Sequence, residues 1–343
     1  MLMRGPHAPA HLSMSSQQAL RGGIDLGGTK IQAVVLDGEH KLLGQARRAT
    51  PTLGGPRSIL DEIAATLREA AAAAGIETRA LAGVGLGSPG AVDGVRGTIE
   101  RAGNLSGFDV RVPAASELAE RLGTSVALGN DVGVALDAEA QLGAGRDLGS
   151  FVGLFWGTGI GGGVVLNGRR WLGRGASGEI GHMVVKRNGA RCPCGRRGCL
   201  EAYAGRRALE LRARHLCEKR GRKTKLFRLM EQKGLARLTS GVWAKALEQD
   251  DELAHELIER AVAALGAGLA SAVNLLDVEG VVIGGGLGSR LGEPWALRIA
   301  EAMQPHLFVS ERPPLVRVAA LGDLAGAIGA GLLALPRAAA RTA

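Results

Sequence analysis

Two stretches of the chain repeat one pattern of apolar and polar positions. The first runs from Gly23 to Leu26, turns at Gly27-Gly28-Thr29, resumes from Ile31 to Leu36, turns at Asp37-Gly38 and starts again at Leu42. Short apolar runs separated by a few Gly, Asp or Thr residues predict a three-stranded meander. The second stretch begins at Phe151 to Trp156, turns through Gly157-Thr158-Gly159, continues from Gly163 to Leu166, turns at Asn167-Gly168 and ends with Arg170 to Leu172. The same order occurring twice predicts an internal duplication.

Between and after these meanders the apolar spacing becomes helical. Ser58 is placed to cap a helix with Asp61 in its first turn, running to Gly75, and Ser116 to Leu122 predicts a shorter one. A short apolar run follows each, Leu81 to Leu86 and Ser125 to Leu128. Residues 206–272 read as mostly helical, with a basic break at Gly221 to Lys225. Val278 to Ile283 then reads as a buried strand running into Gly284-Gly285-Gly286, and Ala325 to Leu335 as a terminal helix of small residues. A hairpin followed by alternating helix and strand in each half predicts an α/β protein.

At 343 residues and 46% hydrophobic composition, two domains can each bury a core. No run reaches the 18 or so apolar residues of a membrane helix, and residues 1–20 lack the apolar segment of a signal peptide. A cytoplasmic protein without a membrane partner is expected, with the polar, patternless residues 1–20 as a disordered tail.

Net charge is +9, and its distribution matters more than its size. Residues 186–228 hold fifteen Lys and Arg against three Glu, which leaves the rest of the chain slightly acidic. Aromatic residues are only 3% of the chain, too few for a base-stacking platform, so a solvated basic surface is expected rather than a nucleic-acid site. The 54 glycines are clustered, marking tight turns and close backbone approach to a ligand.

No Gly-x-x-x-x-Gly-Lys-Ser/Thr loop is present, and no dinucleotide-type glycine motif opens a helix. Phosphate handling would have to come from Asp25-Leu26-Gly27-Gly28-Thr29-Lys30 and from Gly157-Thr158-Gly159-Ile160-Gly161-Gly162-Gly163, each at a hairpin tip. Glycines there let backbone N–H groups converge on anionic oxygens, and the threonine hydroxyl adds a donor. A side chain at Gly159 is expected to block that approach.

These two hairpins resemble those of the ROK family of sugar kinases and repressors. So do Asn130-Asp131, Gly178-Glu179-Ile180-Gly181-His182, the Cys192 to Glu201 segment with cysteines at 192, 194 and 199, and Ile283 to Gly286. The resemblance extends over residues 22–335. It implies the actin-like ATPase fold, of ribonuclease H-like type, with two related domains around a cleft. Residues 21–130 with 322–343 would form the N-terminal domain, and residues 131–321 a larger one carrying a zinc loop.

By the same resemblance Asp131 is the catalytic base, since phosphoryl transfer to a hydroxyl needs a carboxylate to take its proton. Asn104, Asn130, Asp131, Glu179, His182 and Glu201 would hold the sugar. Asp25, Gly27, Gly28, Thr29, Lys30, Gly157, Thr158, Gly159, Gly161, Gly162 and Gly284, Gly285, Gly286 would hold ATP with Mg²⁺. Around Asn104, Ser106 and Phe108 depart from the family's Pro-Gly-Trp.

Three cysteines within eight residues, ten positions after His182, cannot form two disulfides, and a cytoplasmic chain seldom keeps any. His182, Cys192, Cys194 and Cys199 make a closed tetrahedral set of the structural zinc type. A hexose and ATP are the expected partners, in a homodimer. Glucose is the expected sugar, with N-acetylhexosamines, fructose and mannose as alternatives. The family's repressors carry an additional helix-turn-helix ahead of the first hairpin, so a first strand at Gly23 favours a kinase.

Overall fold

The computed structural model of the protein describes residues 19–334. The expected tail falls outside that range up to residue 18, as does residue 335 at the predicted end of the last helix. The chain divides into two compact units, one up to Asp131 together with the chain from Ala330, the other Val132–Gly329.

In the first unit the meander is β1 (Arg21–Leu26), β2 (Lys30–Leu36) and β3 (Leu42–Ala49). Helix α1 (Gly55–Ala73) leads to β4 (Gly83–Ser88), and α2 (Ala114–Leu122) leads to β7 (Val126–Asn130). A short antiparallel pair, β5 (Ala91–Asp93) and β6 (Thr98–Glu100), lies between them. The sheet order is β3-β2-β1-β4-β7, antiparallel through the meander and parallel from β1 to β7.

Burial explains the arrangement. Ile59, Leu60, Ile63, Leu67 and Ala70 of α1 recur every three to four positions and are all fully buried, in one cluster with Ile24, Leu26, Val84 and Leu86 of the central strands. Each such leucine-sized side chain contributes about 1.5–3 kcal/mol when removed from water. Ser58 does not cap α1. The helix begins three residues earlier, after Gly54 at φ 85°, with Pro56 in its first turn, where a missing N–H costs nothing.

The second unit starts within α3 (Asp131–Leu142), a helix that follows β7 without a loop. Its meander is β8 (Phe151–Trp156), β9 (Ile160–Leu166) and β10 (Arg169–Arg170). There follow α4 (Glu201–Ala204), α5 (Arg206–Arg220), α6 (Leu226–Gln232), α7 (Ser240–Glu248) and α8 (Glu252–Leu276). The chain then forms β11 (Gly280–Gly284), α9 (Gly285–Leu291), α10 (Glu293–Met303), β12 (Leu315–Val318) and α11 (Ala325–Leu333). The sheet order is β10-β9-β8-β11-β12, again antiparallel through the meander and parallel beyond it.

The two sheets therefore share one strand order and one set of directions, as the repeated pattern predicts. The basic break at residues 221–225 separates α5 from α6, and Asp251 secures it. The Asp251 carboxylate caps α8 by accepting from the Ala254 N–H at 2.8 Å and also accepts from the Lys225 N–H and the Thr224 hydroxyl. Among the described residues no helix is long and apolar enough to cross a membrane.

Candidate active site

In each sheet the glycine hairpin and the end of a neighbouring parallel strand meet at the carboxyl edge, where open α/β sheets bind ligands. In the first unit Asp25 on β1 pairs in register with Gly87 on β4, and Ser88, one residue on, with Asn130 on β7. Asp25 and the Asn130-Asp131 step thus leave the same edge two strands apart, roughly 10 Å at the usual strand spacing. Asp131 is the first residue of α3.

The Gly27 N–H donates to the Lys30 carbonyl at 2.9 Å and the Thr50 hydroxyl to the Gly27 carbonyl at 2.7 Å, closing the first tip. Asn104 packs on that tip, and a Cβ at Gly28 would stand 2.9 Å from its side-chain nitrogen. The turn carrying Asn104 is anchored by Phe108, which is fully buried and whose carbonyl accepts from the Ala102 N–H at 3.0 Å. Phe108 is thus a core residue of this loop.

The second tip is bound differently. Arg206 donates its guanidinium to the Thr158 hydroxyl at 2.7 Å, while the backbone N–H groups of Arg206 and Arg207 reach the carbonyls of Gly157 and Thr158. No sequence signal singles out this clamp beyond its place, five residues after Glu201 inside the basic stretch. Glu201, at the start of α4, accepts from the Ile160 N–H at 2.9 Å. A Cβ on Gly159 would collide with that carboxylate, whereas Gly157 faces open space. The constraint on Gly159 is therefore Glu201 before any ligand. Gly161 and Gly162 are likewise close-packed, against Val132 and Ile180. Gly285 has φ 80° and leaves only 2.7 Å between a Cβ and the Trp156 backbone, and a Cβ on Gly284 would stand 3.1 Å from the Phe155 ring.

His182, Cys192, Cys194 and Cys199 offer ligand atoms that all lie within 4.8 Å of one another. Cys192 Sγ is 3.7 Å from His182 Nδ1, and Cys194 Sγ is 3.7 Å from Cys199 Sγ. Ligands about 2.3 Å from a tetrahedral zinc stand about 3.8 Å apart, so these edges fit that ion, while a disulfide needs about 2.05 Å. All four cysteines are free thiols. Burial pushes the Cys192 thiol up to about 12 and raises that of Cys199, while the backbone N–H of Arg196 lowers that of Cys194. The fourth cysteine, Cys217, lies in α5, outside the cluster.

The cluster is continuous with two carboxylates. His182 turns Nε2 toward Glu179, 4.0 Å away, and Cys192 Sγ is 4.0 Å from Glu201 Oε1. The structure thus draws His182, Glu179, Glu201 and the three cysteines together in the second unit, and Asp25, Asn104, Asn130 and Asp131 to the sheet edge and hairpin of the first.

The family profile that matches the chain is the ROK family, over residues 21–337. Glucokinase of Thermotoga maritima is 36% identical over 274 residues, 79% of this chain and 83% of the relative. An N-acetylgalactosamine kinase of a Shewanella strain is 32% identical over 91% of this chain and 95% of its own length. Among solved structures, the ROK hexokinase of Thermus thermophilus is 36% identical with a TM-score of 0.72, covering 92% of this chain and 97% of that one. A ROK family glucokinase of Streptomyces griseus, in complex with glucose and AMPPNP, is 31% identical with a TM-score of 0.75, covering 92% and 99%. The chain belongs to the ROK family and has its actin-like ATPase fold.

Proposed function

We propose that the protein is an ATP-dependent sugar kinase of hexokinase type, that glucose is its substrate, and that Asp131 is its general base. The observation that carries this reading is the pair of carboxylates, Asp25 and Asp131, brought to one sheet edge by parallel strands beside a glycine hairpin. A sugar hydroxyl attacks the γ-phosphorus while the Asp131 carboxylate takes its proton. The bond from the γ-phosphorus to the bridging oxygen breaks, and ADP leaves.

Asn104 and Asn130 hydrogen-bond the sugar, as do Glu179, His182 and Glu201. The hairpins Gly27 to Lys30 and Gly157 to Gly162, with Gly284 to Gly286, take the nucleotide, and Asp25 would serve a Mg²⁺ ion that neutralises its phosphates. Cys192, Cys194, Cys199 and His182 Nδ1 would hold a zinc ion, whose contribution would be structural, fixing the imidazole so that its Nε2 stays directed at Glu179. A cytoplasmic homodimer is the assembly we assign.

Glucose is preferred because relatives 30–36% identical are named glucokinase. N-acetylhexosamines are the second reading, carried by relatives named for N-acetylgalactosamine and N-acetyl-D-glucosamine. A coupled ADP-release assay with glucose, mannose, fructose and the three N-acetylhexosamines tests both. The highest kcat/KM is expected for glucose, and absence of turnover with every sugar would refute the kinase assignment.

A further inference from the structure

The basic stretch has a feature that phosphoryl transfer does not use. A cavity of about 280 Å³ in the second unit is lined by α4, α5, α8 and the Ala190-Arg191 segment. Its charged and polar lining is Arg191, Tyr203, Arg212, His215 and Arg260, with no acidic residue. Three carboxylates on the same helices are engaged elsewhere. Glu210 pairs with Arg214 at 2.9 Å, Glu256 with Arg222 at 2.8 Å and Glu259 with Arg298 at 2.8 Å. The arginines of the cavity wall are thus left without a carboxylate among the described residues.

Two further observations describe the arginines of this wall. Arg212 Nε is buried with no hydrogen-bond partner, and only the terminal nitrogens of its guanidinium can meet the cavity. The Arg260 guanidinium stands over the Tyr203 ring, 5.2 Å from its centroid, so its direction is set before any ligand arrives. Like charges gathered around a small space repel, and a multivalent anion reverses the sign of that interaction.

We infer that this cavity is a second anion site, built for the phosphate group of a small metabolite; it adjoins the pocket at the second hairpin, with which it shares Arg191, Ala208 and Leu211. Its volume is just below the usual range of ligand cavities, which suits a phosphate or a phosphorylated sugar. The walls connect to the sugar residues by short paths. Arg191 directly precedes Cys192, and the Tyr203 hydroxyl, two residues beyond Glu201, accepts from the Ala190 N–H at 2.7 Å. An anion drawn in by Arg191 and Arg260 therefore acts on both segments that carry the cysteine cluster and Glu201.

Titration of the full-length, zinc-loaded protein with inorganic phosphate, in the presence of saturating AMPPNP and glucose, tests the site by calorimetry or phosphorus NMR. One phosphate is expected to bind, and Arg212→Gln and Arg260→Gln are each expected to weaken it at least tenfold while kcat without added phosphate stays within twofold. Glucose 6-phosphate in a parallel arm distinguishes the sources: tighter binding than phosphate identifies a sugar phosphate, and equal binding identifies the free ion. Equal phosphate affinity in wild type and Arg260→Gln, whose side chain is exposed, would overturn the inference, as would no binding to the wild type. The comparison of variants stands even if glucose or AMPPNP proves not to be a ligand, so the two proposals fail separately.

Discussion

The two sheets share a strand order, yet what surrounds their hairpins is quite different. In the first unit the connections from meander to β4 and from β4 to β7 each contain one α-helix, and the first tip is met by Asn104 and by the Thr50 hydroxyl. In the second, more than one hundred residues separate β10 from β11, and they supply the cysteine cluster, Glu179, Glu201 and five helices. Those residues return to the second tip through Glu201, Arg206 and Arg207. A duplicated scaffold thus has short connections in one half and one long connection, carrying five helices, in the other.

If that division is functional, substitutions in the two halves separate catalysis from binding. The largest effect belongs to the plain half. Asp131→Asn keeps the shape but cannot accept a proton, so kcat is expected to fall by about 10²–10⁴ while the sugar Kd, measured by calorimetry, is retained. A kcat within threefold of wild type would remove Asp131 from its role. Next comes the half with the long connection. Cys194→Ser, or chelation of the metal, is expected to weaken sugar binding about tenfold, roughly 1.4 kcal/mol, with nucleotide affinity of the folded protein little changed. Equal loss of both affinities would indicate general unfolding.

The glycines of the second tip provide a finer test. Gly157 faces open space and Gly159 faces Glu201. Gly157→Val is expected to raise the KM for ATP alone, and Gly159→Val to raise that for the sugar as well, because the added side chain displaces the carboxylate. Steady-state kinetics showing identical profiles for the two would break the distinction. The smallest effect is expected of Arg206→Lys, which keeps the charge but loses the fork that reaches Thr158. One hydrogen bond of about 1 kcal/mol corresponds to a rise of about fivefold in the KM for ATP.

The duplication was legible because each meander is a local object: apolar runs of strand length, broken by Gly, Asp or Asn, specify hairpins within about twenty-five residues. The Cys and His spacing was legible for the same reason, since Cys192, Cys194 and Cys199 belong to one loop. The start of α1 was misread because Ser58 looks like a cap, and the positive φ of Gly54 that actually opens the helix leaves no mark distinguishing it from other Gly-Gly pairs. The β5 and β6 pair is only three residues long on each side, too short for alternation to register. Contacts such as Ile160 with Glu201, or Arg206 with Thr158, join residues more than forty positions apart, and no local pattern encodes them.

Trp156 gives this arrangement an optical consequence. It is fully buried as the last residue of β8, directly before Gly157, and its indole N–H donates to the Ala204 carbonyl at 2.7 Å, at the end of the short helix that Glu201 begins. One chromophore therefore touches both the strand that holds the second tip and the helix that holds the carboxylate against it. Its emission is a native reporter for this junction, readable without a label as the difference between wild type and Trp156→Phe.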